Sequence, residues 1–242
     1  GIDELKKKAT YVTTDADKDG IYNACLHYGW IKERYLLALD MDGTLLKSDK
    51  TISPNTAASL IETNKRGQSI CLCTGRGLAE LKDYEGELDF CDYGILLSGC
   101  LIYDFKNNQP LEVHSFDTDV FTQMMDIVKK EDVMLYLLDS SHSIASQKDV
   151  ENMPYYNMAI YQSMFESRAF VVEDIYEYAE VHKDEILKFC LYNPSVDAMN
   201  QLLKKLEVLP VSCAVVEETA IEVTPLGITK GCLLYTSPSP RD

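Results

Sequence analysis

Two carboxylates one residue apart, Asp40 and Asp42, stand where the apolar run Tyr35–Asp40 (YLLALD) ends. A nearly continuous apolar strand reads as covered on both faces, the mark of a parallel sheet. Ligands of such sheets bind outside the carboxyl ends of the strands, so the pair is placed to meet a ligand. Gly43 permits a sharp turn behind the pair, and the Thr44 hydroxyl can bond back to fix it. Asp-x-Asp alone would suit a plain acidic turn. The full string Asp40-Met41-Asp42-Gly43-Thr44-Leu45-Leu46 after a hydrophobic strand favours a site.

The surrounding elements must hold this pair in place. Ser53-Pro54 supplies an N-cap and a first-turn proline, Ala57, Leu60 and Ile61 an apolar stripe, and Gly67 a helix end. Ser69–Cys73 reads as a second buried strand, followed by Thr74-Gly75-Arg76 and a helix to about Gly86, and Tyr93–Ser98 as a third strand. The order strand–helix–strand–helix–strand predicts an α/β fold with a doubly wound parallel (Rossmann-like) sheet. From about Phe116 the rhythm changes. Val120, Phe121, Met124, Met125 and Val128 share a helical face, and Val133–Leu138 and Leu187–Tyr192 read as strands. A helix carrying Val196, Met199, Leu202, Leu203 and Leu206 precedes strands at Val211–Val216 and Ala220–Val223. Residues 116–223 thus predict an inserted α+β domain.

With DMDGTLL (Asp40–Leu46), CTGR (Cys73–Arg76), SGCLIYD (Ser98–Asp104) and ITKG (Ile228–Gly231) in place, the chain resembles the haloacid dehalogenase-like superfamily. Within it the likeness is to Cof-type phosphatases with a large α/β cap, over roughly residues 35–231. The resemblance implies a phosphatase of small phosphorylated metabolites, sugar phosphates among them. Asp40 would attack phosphorus and become an aspartyl-phosphate, which splits one hard displacement into two easier ones. Asp42 would protonate the leaving oxygen and later deprotonate the attacking water, kept partly protonated by the neighbouring carboxylate. Thr74 would hold phosphoryl oxygens with its hydroxyl and nearby N–H groups at a helix start, with Gly43, Thr44, Gly75 and Arg76 also at the substrate. Lys230 would neutralise charge on the phosphate and on Asp40. Read alone, Thr74 is a helix cap and Lys230 a solvated lysine.

An anion attacking an anion needs a counter-charge, and the resemblance implies Mg2+. In the family it is bound by the carboxylate matching Asp40, the main-chain carbonyl matching Asp42, and an acidic pair in a later Gly-Asp-x-x-Asn-Asp motif. That motif has no match in this chain. A second departure is Ser98-Gly99, where family members often have Asn-Gly; serine keeps one donor and acceptor function. Two rival readings stay open: a phosphomutase or phosphotransferase, and a binding protein or fragment impaired in turnover for want of the metal acids.

The ends read differently from the middle. Residues 1–32 resemble the segment that follows the missing motif in the same family, so they are expected to be the tail of a preceding domain in a tandem fusion, the alternative being one gene rearranged so that its tail precedes its head. Residues 33–115 and 224–231 are then an incomplete core and 116–223 the cap. Residues 232–242 (CLLYTSPSPRD) resemble a translated sequencing adapter and carry no fold expectation. Asp15, Asp17, Asp19 and Gly20 match half of a calcium loop, but Leu26 stands where a bidentate glutamate is required; a helix-capping acidic turn is expected.

Composition narrows the partners. The 242 residues carry 39 acidic against 23 basic side chains, a net charge of −16, which argues against sequence-independent nucleic-acid binding. No apolar run approaches the roughly 18 residues of a membrane helix. Together with a charged rather than signal-like start, this predicts a cytoplasmic chain without membrane partners. Eight cysteines include no C-x-x-C pair; Cys71 and Cys73 are read as core residues of a strand.

Overall fold

A computed structural model describes residues 3–31 and 34–231, in two units, Gly1–Tyr35 and Leu36–Asp242. The expectation for residues 232–242 lies outside the described residues.

In the first unit, α1 (Asp3–Lys8) and α2 (Gly20–His27) flank a 3-10 turn at Ala16–Lys18. The acidic loop is closed by its own polar groups: Asn23 Nδ2 donates to Lys18 O (2.9 Å) and Thr14 Oγ1 (2.8 Å). Tyr11 stacks on His27 with ring centroids 3.6 Å apart. Tyr11–Thr13 has strand-forming residues but belongs to no sheet of the described residues. Its polar contacts run to the α2 start, which competes with pairing.

In the second unit, β1 (Leu36–Asp40), β2 (Ser69–Cys73) and β3 (Tyr93–Leu96) are parallel, as expected. The next two, β4 (Leu101–Asp104) and β5 (Gln109–Val113), add antiparallel and complete a five-stranded sheet in the order β1-β2-β3-β4-β5. Between β1 and β2 runs α3 (Pro54–Lys65), entered through Pro54 and closed at Gly67 (φ 85°); the Ser53 hydroxyl makes no capping bond. The helix after β2 is shorter than its pattern suggests: α4 (Leu78–Leu81) passes into a 3-10 turn at Lys82–Tyr84.

One expectation fails here. β1 is an edge strand among the described residues, and Leu36 and Leu37 each stay 37% exposed. Among the described residues only β2 pairs with it, and its first three residues are exposed, so the apolar run reported its composition rather than cover on both faces.

A second sheet has six strands in the order β10-β11-β9-β6-β7-β8. Its elements follow α5 (Thr118–Val128) in the chain: β6 (Met134–Leu138), β7 (Ser143–Ser146), α6 (Gln147–Glu151), α7 (Gln162–Arg168), β8 (Phe170–Val172), α8 (Ile175–Val181) and β9 (Lys188–Tyr192). Then come α9 (Val196–Leu206), β10 (Val211–Glu217) and β11 (Ala220–Pro225). All pairings are antiparallel except β7 with β8.

Alternation along the strands sends side chains to two cores. Leu135, Leu137, Phe189, Leu191, Ile221 and Val223 pack with Phe121, Met124, Met199 and Leu202 of α5 and α9. Met134, Tyr136, Leu138 and Cys190 face the other way and join the core of the first sheet, with Met41, Leu72 and Leu97. That second face forms one wall of the cleft described next. Among the described residues no helix is long and apolar enough to cross a membrane.

Candidate active site

A cleft of about 720 Å³ lies at the carboxyl ends of β1 and β2, with Asp40, Asp42, Thr74 and Lys230 in its lining. The loop after β1 is shaped by main-chain bonds: Leu45 N–H donates to Asp40 O (3.2 Å) and Leu46 N–H to Met41 O (2.9 Å). Gly43 takes φ 77°, which a side chain would disfavour. Gly43 and Thr44 are exposed and form this turn without lining the cleft. Among the described residues the main chain, not the Thr44 hydroxyl, closes it.

Asp40 ends β1 and accepts a hydrogen bond from Lys230 Nζ at 3.0 Å, closing a span of 190 residues. Both side chains are 43% exposed, so the pair faces the open cleft rather than a closed core. The structure thus brings together the two residues that the family resemblance had paired.

Thr74 is buried after β2. Its N–H donates to Ile95 O (2.9 Å), and its Oγ1 accepts from Arg76 N–H (3.2 Å). It is not a helix cap: α4 begins at Leu78, with Gly77 before it donating its N–H to Glu80 Oε2 (2.8 Å). Thr74 and Gly75 both line the cleft.

Asp42 is held differently from expectation. Arg76 donates Nε–H to Oδ2 and Nη2–H to Oδ1, both at 2.9 Å, and Lys50 Nζ donates to Oδ1 at 2.8 Å. The Arg76 hydrogen bonds, aided by Lys50 and outweighing the opposing effect of burial, lower its pKa to about 2. The adjacent carboxylate therefore does not keep it protonated; two cations keep it ionised. Arg76, expected beside a substrate, lies on the Asp42 carboxylate in this structure, its guanidinium 5.7 Å from the Tyr84 ring centroid.

Five charged residues of the cleft went unread in the sequence: Lys50, Glu80, Lys188, Glu217 and Glu222. Glu80 is pushed toward its neutral form by burial, against the Gly77 N–H bond and nearby cations. Lys188 and Glu222 each interrupt an otherwise apolar strand (LKFCLY, AIEV), a signal the sequence does carry. The apolar part of the lining includes Met158, Tyr161, Met164 and Phe165.

The metal expectation meets a partial fit. The Asp40 carboxylate and the main-chain oxygen of Asp42 are hard donors suited to magnesium. Among the described residues, however, no three acidic, histidine or cysteine side chains converge. Two donors do not make a protein-only site.

Comparison with known proteins places the geometry in context. YitU of Bacillus subtilis (strain 168), a 5-amino-6-(5-phospho-D-ribitylamino)uracil phosphatase, is 33% identical over 100 residues, 41% of this chain and 37% of that protein. The pyridoxal phosphate phosphatase YbhA of Escherichia coli (strain K12) is 23% identical over 128 residues, 49% of this chain and 47% of that protein. The chain spans about half, or less, of the length of the curated relatives it matches. A haloacid dehalogenase-like hydrolase from Bacteroides thetaiotaomicron shares the fold with a TM-score of 0.68 at 18% identity, over 84% of this chain and 76% of that one. The fold is thus an α/β core with a cap domain. A family model for the haloacid dehalogenase-like hydrolases matches residues 37–236, and the chain belongs to that family.

Proposed function

We propose that the protein is a phosphatase of small phosphorylated metabolites that works through an aspartyl-phosphate on Asp40. The observation that carries this reading is the Lys230–Asp40 contact of 3.0 Å at the end of a parallel strand. A carboxylate that must attack a phosphoryl dianion needs a cation beside it, and Lys230 supplies one.

In the first step an Asp40 oxygen bonds to phosphorus while the bond to the ester oxygen breaks, and Asp42 gives that oxygen a proton. In the second, Asp42 takes a proton from water, the water oxygen bonds to phosphorus, and the Asp40–phosphorus bond breaks to release phosphate. Asp42 can donate only after leaving its ion pair and taking up a proton from solvent or from the incoming phosphate monoanion, so the phosphoryl group must draw Arg76 and Lys50 toward itself. Thr74 would hold a phosphoryl oxygen through its hydroxyl. Magnesium is the cofactor of this proposal, with the Asp40 carboxylate and Asp42 carbonyl as two of its ligands; when bound it would offset phosphoryl charge.

In this reading residues 33–115 and 224–231 form the core and 116–223 the cap, whose Met158, Tyr161, Met164 and Phe165 receive the leaving group. YitU and YbhA, both named for small phosphate esters, support the substrate class. The lack of three converging metal-ligating side chains among the described residues favours a second reading, phosphate binding without turnover. Phosphate release from a panel of small phosphomonoesters with added magnesium separates the two. Release that disappears in Asp40→Asn supports the first; release undiminished in that variant overturns the nucleophile assignment.

A further inference from the structure

The wall of the cleft contributed by the second sheet holds a charged cluster with no part in the steps above. Lys188 on β9 is 1% exposed, and its ammonium meets three oxygens: Gly75 O at 2.9 Å, Ser98 Oγ at 3.2 Å and Glu222 Oε1 at 2.6 Å. Glu222 uses its other oxygen to accept the Ser98 hydroxyl at 2.7 Å. An ammonium has three donors, so Lys188 has none left for a substrate. A buried ion pair is a poor source of stability compared with apolar residues of similar size. Its place against the Thr74–Arg76 loop therefore calls for another explanation.

The loop is fitted to the cluster. A Cβ on Gly75 would lie 3.2 Å from Ser98 Oγ, 3.3 Å from Lys188 Nζ and 3.4 Å from Glu222 Oε1, so a side chain there would push on all three partners. From the other side, Ser98 N–H donates to Thr74 O (3.1 Å) and Leu97 N–H to Arg76 O (3.0 Å). Gly75 C=O and Arg76 N–H belong to one planar trans peptide and point in opposite directions. With the carbonyl drawn to Lys188, the N–H is turned to Thr74 Oγ1, 3.2 Å away. A threonine oxygen that accepts this bond keeps its own proton free to donate.

We propose that Lys188 is a positioning residue: through the Gly75–Arg76 peptide it aims the Thr74 hydroxyl, so that the phosphoryl-holding loop is set only when the cap sheet is seated. The inference rests on the reading of Thr74 as a phosphoryl-holding residue. It makes cap seating and site assembly one event, with Gly75 as the point where they meet.

The test compares the full chain with the double variant Lys188→Met/Glu222→Leu, which removes the pair without stranding either charge. The deciding readout is amide hydrogen exchange at Arg76, followed by NMR. Exchange about tenfold faster at Arg76, with Leu72 in β2 unchanged, is the expected result. Unchanged Arg76 exchange in the folded variant overturns the inference, whatever the activity. If the double variant does not fold, Gly75→Ala strains the same cluster from the loop side and must give the same change at Arg76. Where the parent hydrolyses a phosphomonoester, kcat should fall about tenfold in the double variant with KM moved much less. A parent that releases no phosphate counts against the phosphatase reading, while the exchange result still decides the role of Lys188.

Discussion

Arg76 grips Asp42 with two hydrogen bonds of 2.9 Å across 34 residues of sequence, and the grip holds the carboxyl at a pKa of about 2. A folded-state value below the unfolded value of about 3.9 means stability that is fully present above that value. It is lost as the pH falls through about 2. Arg76→Met should return Asp42 toward ordinary carboxylate titration, followed by NMR of its side-chain carbon. Acid unfolding of the variant should lose this pH-dependent component. An unmoved titration midpoint would show that Arg76 is not what holds the carboxyl down.

Lys230 and Asp40 are both half open to solvent, and an ion pair of that kind contributes at most about 1 kcal/mol. Lys230→Met should therefore leave the denaturation midpoint nearly unchanged. Its counter-charge is needed when Asp40 attacks, so phosphate turnover should fall by about a hundredfold. Equal losses in stability and turnover would reduce Lys230 to a structural residue.

Magnesium should bind weakly to the chain, because among the described residues no three acidic, histidine or cysteine side chains converge around Asp40. If the dissociation constant is no tighter than the added concentration, the gain is at most about 0.4 kcal/mol. For a chain of this size that moves the melting midpoint by at most about 2 °C. A differential scan with and without about 1 mM magnesium measures it. A much larger upward shift would reveal further donors in the cleft.

Phe121 tests the second core. It is fully buried on α5, edge-on to Phe189 with centroids 5.3 Å apart and near Phe116 at 6.4 Å. Phe121→Ala removes a ring that nothing nearby can replace and should cost about 3–5 kcal/mol in chemical denaturation. A cost below about 1 kcal/mol would mean that the α5 layer adapts around the gap.

The parts legible in the sequence share a property: their signal is local. The apolar strand ending in Asp40, the Gly67 helix stop and the α9 stripe of Met199, Leu202 and Leu206 each fit within one element, and each forms where expected. Residues 139–186 gave no reading because β7, β8 and the short helices α6, α7 and α8 are too brief to show a period. The exposure of β1 and the bond from Arg76 to Asp42 depend on neighbours far along the chain. Lys188 and Glu222 were visible as charges in apolar strands. What they touch, Gly75 and Ser98, lies about a hundred residues away and follows only from how the two sheets meet.

Between β3 and β4 the backbone takes three left-handed residues in succession, Leu97 (φ 53°), Ser98 (φ 58°) and Gly99 (φ 116°). Such winding is costly for the bulky Leu97, yet its side chain is fully buried and its amide clasps the carbonyl of Arg76. That bend therefore behaves as a rivet and not as a hinge. On warming, the outer ribbon of β4 and β5 should peel away first, leaving the rivet and the loop it clamps among the last parts of the sheet to melt.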